Sequence, residues 1–168
     1  MEWTRKNAKT FELTDNGQVL GKLHHEPKVT TWEAAGKFYH FKLKNSWKQQ
    51  YQLIGLGPDG KILGDMRPKN WYGSSSIISL EGAQYHLTFT NNPLAAVQLL
   101  DEKKQLLVQA RLVTVEGRVQ TEFSMDEAFK STPYAFWLAG IVWHYFYPIA
   151  QSEGGDIDAG TFILLATA

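Results

Sequence analysis

The sequence predicts an all-β fold with one helix: an antiparallel closed barrel of about twelve strands around a buried hydrophobic C-terminal helix. Three features predict it. Apolar and polar residues alternate with period two through the first 123 residues. Turn signals cut that region at short intervals, with no helical pattern between them. A single long apolar stretch without charges follows near the C-terminus.

The strands come first. Asp15-Asn16-Gly17, Ala35-Gly36, Pro58-Asp59-Gly60, Glu81-Gly82, Asp101-Glu102-Lys103 and Glu116-Gly117 each join polar residues to one that tolerates left-handed backbone. Between them lie eleven strand segments: 9–14, 18–24, 28–34, 38–44, 49–56, 61–66, 76–80, 84–90, 95–101, 105–113 and 118–123. Tyr85, Leu87 and Phe89 against His86, Thr88 and Thr90 show the alternation of a sheet with one wet and one dry face. Connections without helices argue against a parallel βαβ sheet. So many meandering strands curl, and closure removes their exposed edges.

At Ser124 the pattern changes. Ser124-Met125-Asp126-Glu127 reads as a capping box, Ser131-Thr132-Pro133 as a second helix start, and Pro148 as the stop. This places the central helix at about 125–148. From Ser131 to Ser152 there is no Asp, Glu, Lys or Arg, so the helix is apolar on every side and must lie in lipid or inside protein. Its part from Pro133 to Tyr147 would span about 22 Å, short of a bilayer core of about 30 Å. Its tyrosine hydroxyls and the indoles of Trp137 and Trp143 would find partners inside a closed sheet. The expectation is an enclosed helix and no transmembrane segment. Glu153 to Gly160 reads as a loop, and residues 161–168 as a twelfth strand or as a tail that pairs with another chain.

Composition narrows the classes. At 168 residues and 19.1 kDa, residues 1–168 form one domain. The absence of cysteine excludes disulfides, thiolate zinc sites and cysteine catalysis. The polar opening Met-Glu-Trp-Thr-Arg-Lys lacks the apolar core of a signal peptide, which predicts a cytoplasmic protein. The net charge of zero conceals an excess of four basic groups in residues 1–50 and of four acidic groups in 101–168. That balance is far from the bias of a nucleic-acid binder, and no nucleic-acid partner is expected.

Phe11-Glu12-Leu13-Thr14-Asp15-Asn16-Gly17, the internal Pro58-Asp59-Gly60-Lys61-Ile62 turn and the Pro133–Pro148 helix together resemble the Tubby C-terminal-like superfamily. The likeness is to its LURP-one-related and phospholipid-scramblase-like branch, over roughly residues 9–150. The resemblance implies a twelve-stranded barrel wrapped around a hydrophobic helix and a protein that meets lipid.

Catalytic candidates are weak, and no catalytic residue, metal ligand or cofactor is assigned. His24-His25-Glu26 could offer a metal at most two ligands, because His25 faces away from the other two on a strand. Its ordinary reading is a polar strand end before Pro27. Asp156 and Asp158 lack the further acids of a calcium loop. Ser74-Ser75-Ser76 reads as a turn without the glycine-flanked elbow of a nucleophile. His144 in the apolar helix reads as a neutral, hydrogen-bonded core histidine.

The leading expectation is a non-enzymatic binding or scaffold protein that docks on anionic phospholipid from the cytoplasmic side. The residues that would do it are Lys28, Lys37, Lys44, Lys48, Arg67 and Lys69 for the headgroups, with Trp71 and Tyr72 for the interface. Trp32 and Trp47 belong to the same aromatic set, but both read better as barrel filling. Two alternatives stay open. One is a small-molecule binder with a pocket at the barrel mouth near Trp71, Tyr72 and His86; the other is an oligomer joined through residues 161–168. A filled lumen disfavours a lipocalin-like carrier.

Overall fold

A computed structural model describes residues 1–26, 28–45, 47–48, 50–56, 60–69, 74–91 and 93–153. Twelve strands form one antiparallel sheet in simple sequence order. They are β1 (Glu2–Arg5), β2 (Thr10–Asp15), β3 (Gln18–His24), β4 (Val29–Ala34), β5 (Lys37–Asn45), β6 (Gln50–Leu56), β7 (Ile62–Pro68), β8 (Ser75–Leu80), β9 (Ala83–Asn91), β10 (Ala95–Leu100), β11 (Leu106–Val115) and β12 (Arg118–Met125). A short helix α1 (Glu127–Lys130) and a long one, α2 (Ala135–Glu153), complete the described chain.

Four of the hairpins turn on two residues that both have positive φ: Asn16-Gly17, Ala35-Gly36, Glu81-Gly82 and Glu116-Gly117. That backbone matches the right-handed twist of the flanking strands. Each pairs one residue held in left-handed backbone with a glycine that takes it freely.

The sheet curls into a nearly closed barrel. No ladder joins β1 to β12 among the described residues; across that seam Trp3 and Phe123 meet edge to face, with ring centres 5.9 Å apart. The inward side chains are the apolar half of each alternation: Phe11 and Leu13 on β2, Trp32 on β4, Tyr39 and Phe41 on β5, Val97 and Leu99 on β10. They surround α2, whose Ala135, Trp137, Leu138, Ile141, Val142, Trp143, Phe146 and Ala150 are all buried. Positions on every side of the helix are covered, as its lack of charge requires.

Trp32 shows how the layers lock. Its indole lies between two glycines, Gly21 on the neighbouring strand and Gly140 on the helix. A Cβ at Gly21 would fall 2.6 Å from the ring, and one at Gly140 3.0 Å from it. Trp3 adjoins Trp32 at 5.3 Å and stacks on Trp143 at 5.0 Å with planes 7° apart. Strand, helix and N-terminal segment thus share one aromatic cluster.

Several expectations need correction. The alternation misses β1, at the polar N-terminus, where Trp3 alone supplies an anchor; the strand or tail expected at 161–168 lies outside the described residues. Ser124 belongs to β12, and Asp126 caps α1 instead, accepting from the Phe129 amide at 2.9 Å. Ser75 and Ser76 open β8 rather than form a turn. Pro148 does not end α2, which runs on to Glu153. The helix therefore has 19 residues and a length of about 28 Å, so the argument from shortness fails. Burial of Trp137 and Trp143 is what places the helix inside. No helix of the described residues is long and apolar enough to cross a membrane. The indole N–H groups of Trp3, Trp32, Trp137 and Trp143 are buried without a hydrogen-bond partner, contrary to expectation. Their rings instead make aromatic contacts: Trp3 stacks on Trp143 and Trp137 on Tyr39, and Trp32 lies tilted against Trp3.

Enlarging Gly140 tests the interlock. Gly140→Val forces the helix off Trp32 and should lower the unfolding free energy by about 1–3 kcal/mol, read as a lower urea midpoint at unchanged slope.

Candidate functional site

In a meander, successive turns alternate between the two barrel ends. The β1–β2, β3–β4, β5–β6, β7–β8, β9–β10 and β11–β12 connections therefore share one end. The register fixes the grouping: Leu43 donates to the Lys28 carbonyl, Asn45 pairs with Gln50, and Tyr51 pairs with Met66. The other end holds the Asn16, Ala35 and Glu81 turns and α1. Helix α2 runs between the ends. Tyr134 donates to Glu81 at one, and Arg5 lies over the Tyr147 ring at the other.

This alternation sorts the charges. Arg5, Lys6 and Lys9 lie at the β1–β2 connection, Lys28 at β3–β4, Lys44 and Lys48 at β5–β6, Arg67 and Lys69 at β7–β8, and Arg118 at β11–β12. The two carboxylates in these connections are Glu26 and Glu116. Glu26 is engaged by Lys9 at 3.1 Å and faces His24 at 3.6 Å. Lys9 and His24 accordingly hold its carboxyl below the ordinary value.

Five of the six expected basic residues thus share one end, and all five are exposed. Lys37 does not join them, because it follows the Ala35-Gly36 turn at the opposite end. Among the described residues, none of Lys28, Lys37, Lys44, Lys48, Arg67 and Lys69 makes an ion pair. Lys6, Lys9, Lys22, Lys61, Arg111 and Lys130 all do. Trp71 and Tyr72 lie outside the described residues. Trp47, expected in the core, instead stands at the tip of the β5–β6 connection with 93 % of its surface exposed. Its exposure follows from the turn that holds it out, whereas the places of Arg5, Lys6, Lys9 and Arg118 at this end were readable only from the parity of the turns.

Among the described residues, two clefts indent the outer wall. The first, about 500 Å³, runs along β6, β7 and β8 and is lined by Lys44, Gln50, Gln52, Asp65, Arg67 and Ser79 among others. The second, about 470 Å³, lies on β9–β11 around Leu94, Gln98, Gln109 and Thr114. His86 lines neither; it projects from β9 on the outward half of the alternation.

The histidines part as the strand alternation requires. His24 turns out toward Glu26, while His25 turns in and meets His144, with ring centres 4.8 Å apart. His144 Nδ1 lies 2.6 Å from the Thr30 hydroxyl, which donates to the Glu26 carbonyl at 3.1 Å. With its one proton committed there, the hydroxyl accepts, and His144 Nδ1 carries the ring proton. Burial, helped by His25, drives the His144 pKa down to about 3. Burial and His24 lower that of His25. Both rings are therefore neutral at neutral pH. Among the described residues no group of three His, Asp or Glu is gathered closely enough to hold a metal ion. Asp156 and Asp158 lie outside the described residues.

His144 makes stability depend on pH. Below its ordinary value of 6.5 the unfolded chain takes up a proton that the folded chain, at about 3, refuses. Stability is complete above about 6.5 and declines as pH falls toward 3, by up to about 1.4 kcal/mol per pH unit. His144→Asn keeps a partner for Thr30 and should flatten this decline, measured as the change in urea midpoint between about pH 7 and about pH 4.5.

Comparison with models of known families, with curated proteins and with solved structures gives no match, so the functional reading rests on geometry and charge.

Proposed function

We propose that this protein is a non-enzymatic binding domain that docks reversibly on an anionic phospholipid surface through one basic end of its barrel. The carrying observation is that five exposed cations, Lys28, Lys44, Lys48, Arg67 and Lys69, which make no ion pair among the described residues, share one barrel end with the exposed indole of Trp47. Each Lys or Arg close to an anionic leaflet contributes about 1 kcal/mol, so five of them hold a domain measurably but releasably. An indole is suited to the headgroup layer, where its ring is shielded and its N–H stays wet. Cations already matched by carboxylates would gain little from such a surface, and among the described residues these five are not matched. The resemblance to lipid-meeting barrels of the Tubby-like kind points the same way. The filled lumen supports a role at the surface rather than inside.

Flotation with vesicles tests this. Phosphatidylcholine vesicles containing phosphatidylglycerol should carry the protein upward at low salt, and phosphatidylcholine alone should not. Binding should weaken steeply as salt shortens the Debye length. Lys44→Glu with Lys48→Glu should abolish flotation, and Trp47→Ala should reduce it several-fold, with folding confirmed by unchanged circular dichroism. Failure to bind phosphatidylglycerol vesicles at low salt overturns the proposal.

A further inference from the structure

The cleft on β6–β8 adds a selectivity that a uniformly basic surface would lack. Lys44 and Arg67 flank it at the basic end, one on each side of β6. Leu43 pairs with Tyr51, and Tyr51 with Met66, so these two cations stand on neighbouring strands either side of Gln50. Asp65 projects from the same outer face of β7 two residues farther from that end, a separation of about 7 Å. Asp65 and Arg67 are exposed and make no ion pair with each other or, among the described residues, with any other group. Gln50, Gln52 and Ser79 line the space between and offer hydrogen bonds.

We infer that this cleft receives a phosphoserine headgroup, with the phosphate and carboxylate at Arg67 and Lys44 and the ammonium at Asp65. The inference rests on the docking reading above and narrows it to one headgroup class. The order of charges along β7 carries it. With the basic end against the bilayer, Arg67 lies at the level of the phosphate and Asp65 farther out, where the ammonium of a serine headgroup sits. A glycerol headgroup has no cation for Asp65, and a headgroup with several phosphates meets repulsion from it. A phosphoserine within a peptide has an amide in place of the ammonium and is likewise excluded.

The test compares vesicles of equal charge. Phosphatidylserine vesicles should bind several-fold more tightly than phosphatidylglycerol vesicles, and free O-phosphoserine should compete while glycerol phosphate and a phosphoserine peptide should not. Asp65→Asn should abolish the preference, so that vesicles of the two lipids at equal charge bind equally. Arg67→Gln should weaken O-phosphoserine binding about tenfold. Equal binding of the two vesicle types, an unaltered ratio in Asp65→Asn, or competition by the peptide overturns the headgroup assignment while leaving docking intact. Loss of phosphatidylglycerol binding with O-phosphoserine still bound would instead remove the docking reading and keep the cleft chemistry.

Discussion

The fold depends on mutual enclosure of one uncharged helix and one curled sheet. Neither part is stable by itself. The helix has no face that water would solvate, and the sheet without it would expose the inner half of twelve strands. The contact between them is made by flat rings laid on places without side chains. Trp32 fits between Gly21 and Gly140, and Trp3 lies on Trp143. Among the described residues, the indole N–H groups of Trp3, Trp32 and Trp143 in that cluster, and of Trp137 beside Tyr39, go without partners. The unmet hydrogen bonds oppose folding, and the buried aromatic area outweighs them.

With α2 occupying the lumen, the clefts among the described residues lie on the outside. The outside is shaped by a topological fact rather than by a motif. In a twelve-strand meander, residues distant in sequence share an end when an even number of strands separates their turns. Lys9 and Lys69 are neighbours in that sense, whereas Lys28 and Lys37, only nine residues apart, sit at opposite ends. Charge segregation of this kind gives the barrel a polarity along its axis that its net charge of zero conceals.

Much of the architecture was legible in the sequence. Eleven strands follow from alternation and turn residues, and each falls within two residues of the observed element at most of its ends. The enclosed helix follows from its missing charges. β1 was hidden because four residues with one apolar anchor carry no alternation to detect. The true end of α2 was hidden because the helix tolerates Pro148 at the cost of one backbone hydrogen bond, a balance set by packing. Trp47 was misplaced because composition says an indole wants cover and cannot say that a particular turn holds it out. The basic end was half legible: the lysines were named, while the sorting by turn parity, which removes Lys37 and adds Arg5, Lys6, Lys9 and Arg118, needs the full strand count.

The order of elements along the chain has a consequence for biosynthesis. All twelve strands leave the ribosome before the segment that fills them, since α2 begins only at Ala135. Until then the nascent hairpins can pair with their neighbours but have nothing to close around. Closure of the barrel waits on α2, and a polypeptide stopped before Ala135 would be a substrate for chaperones and proteases rather than a smaller barrel.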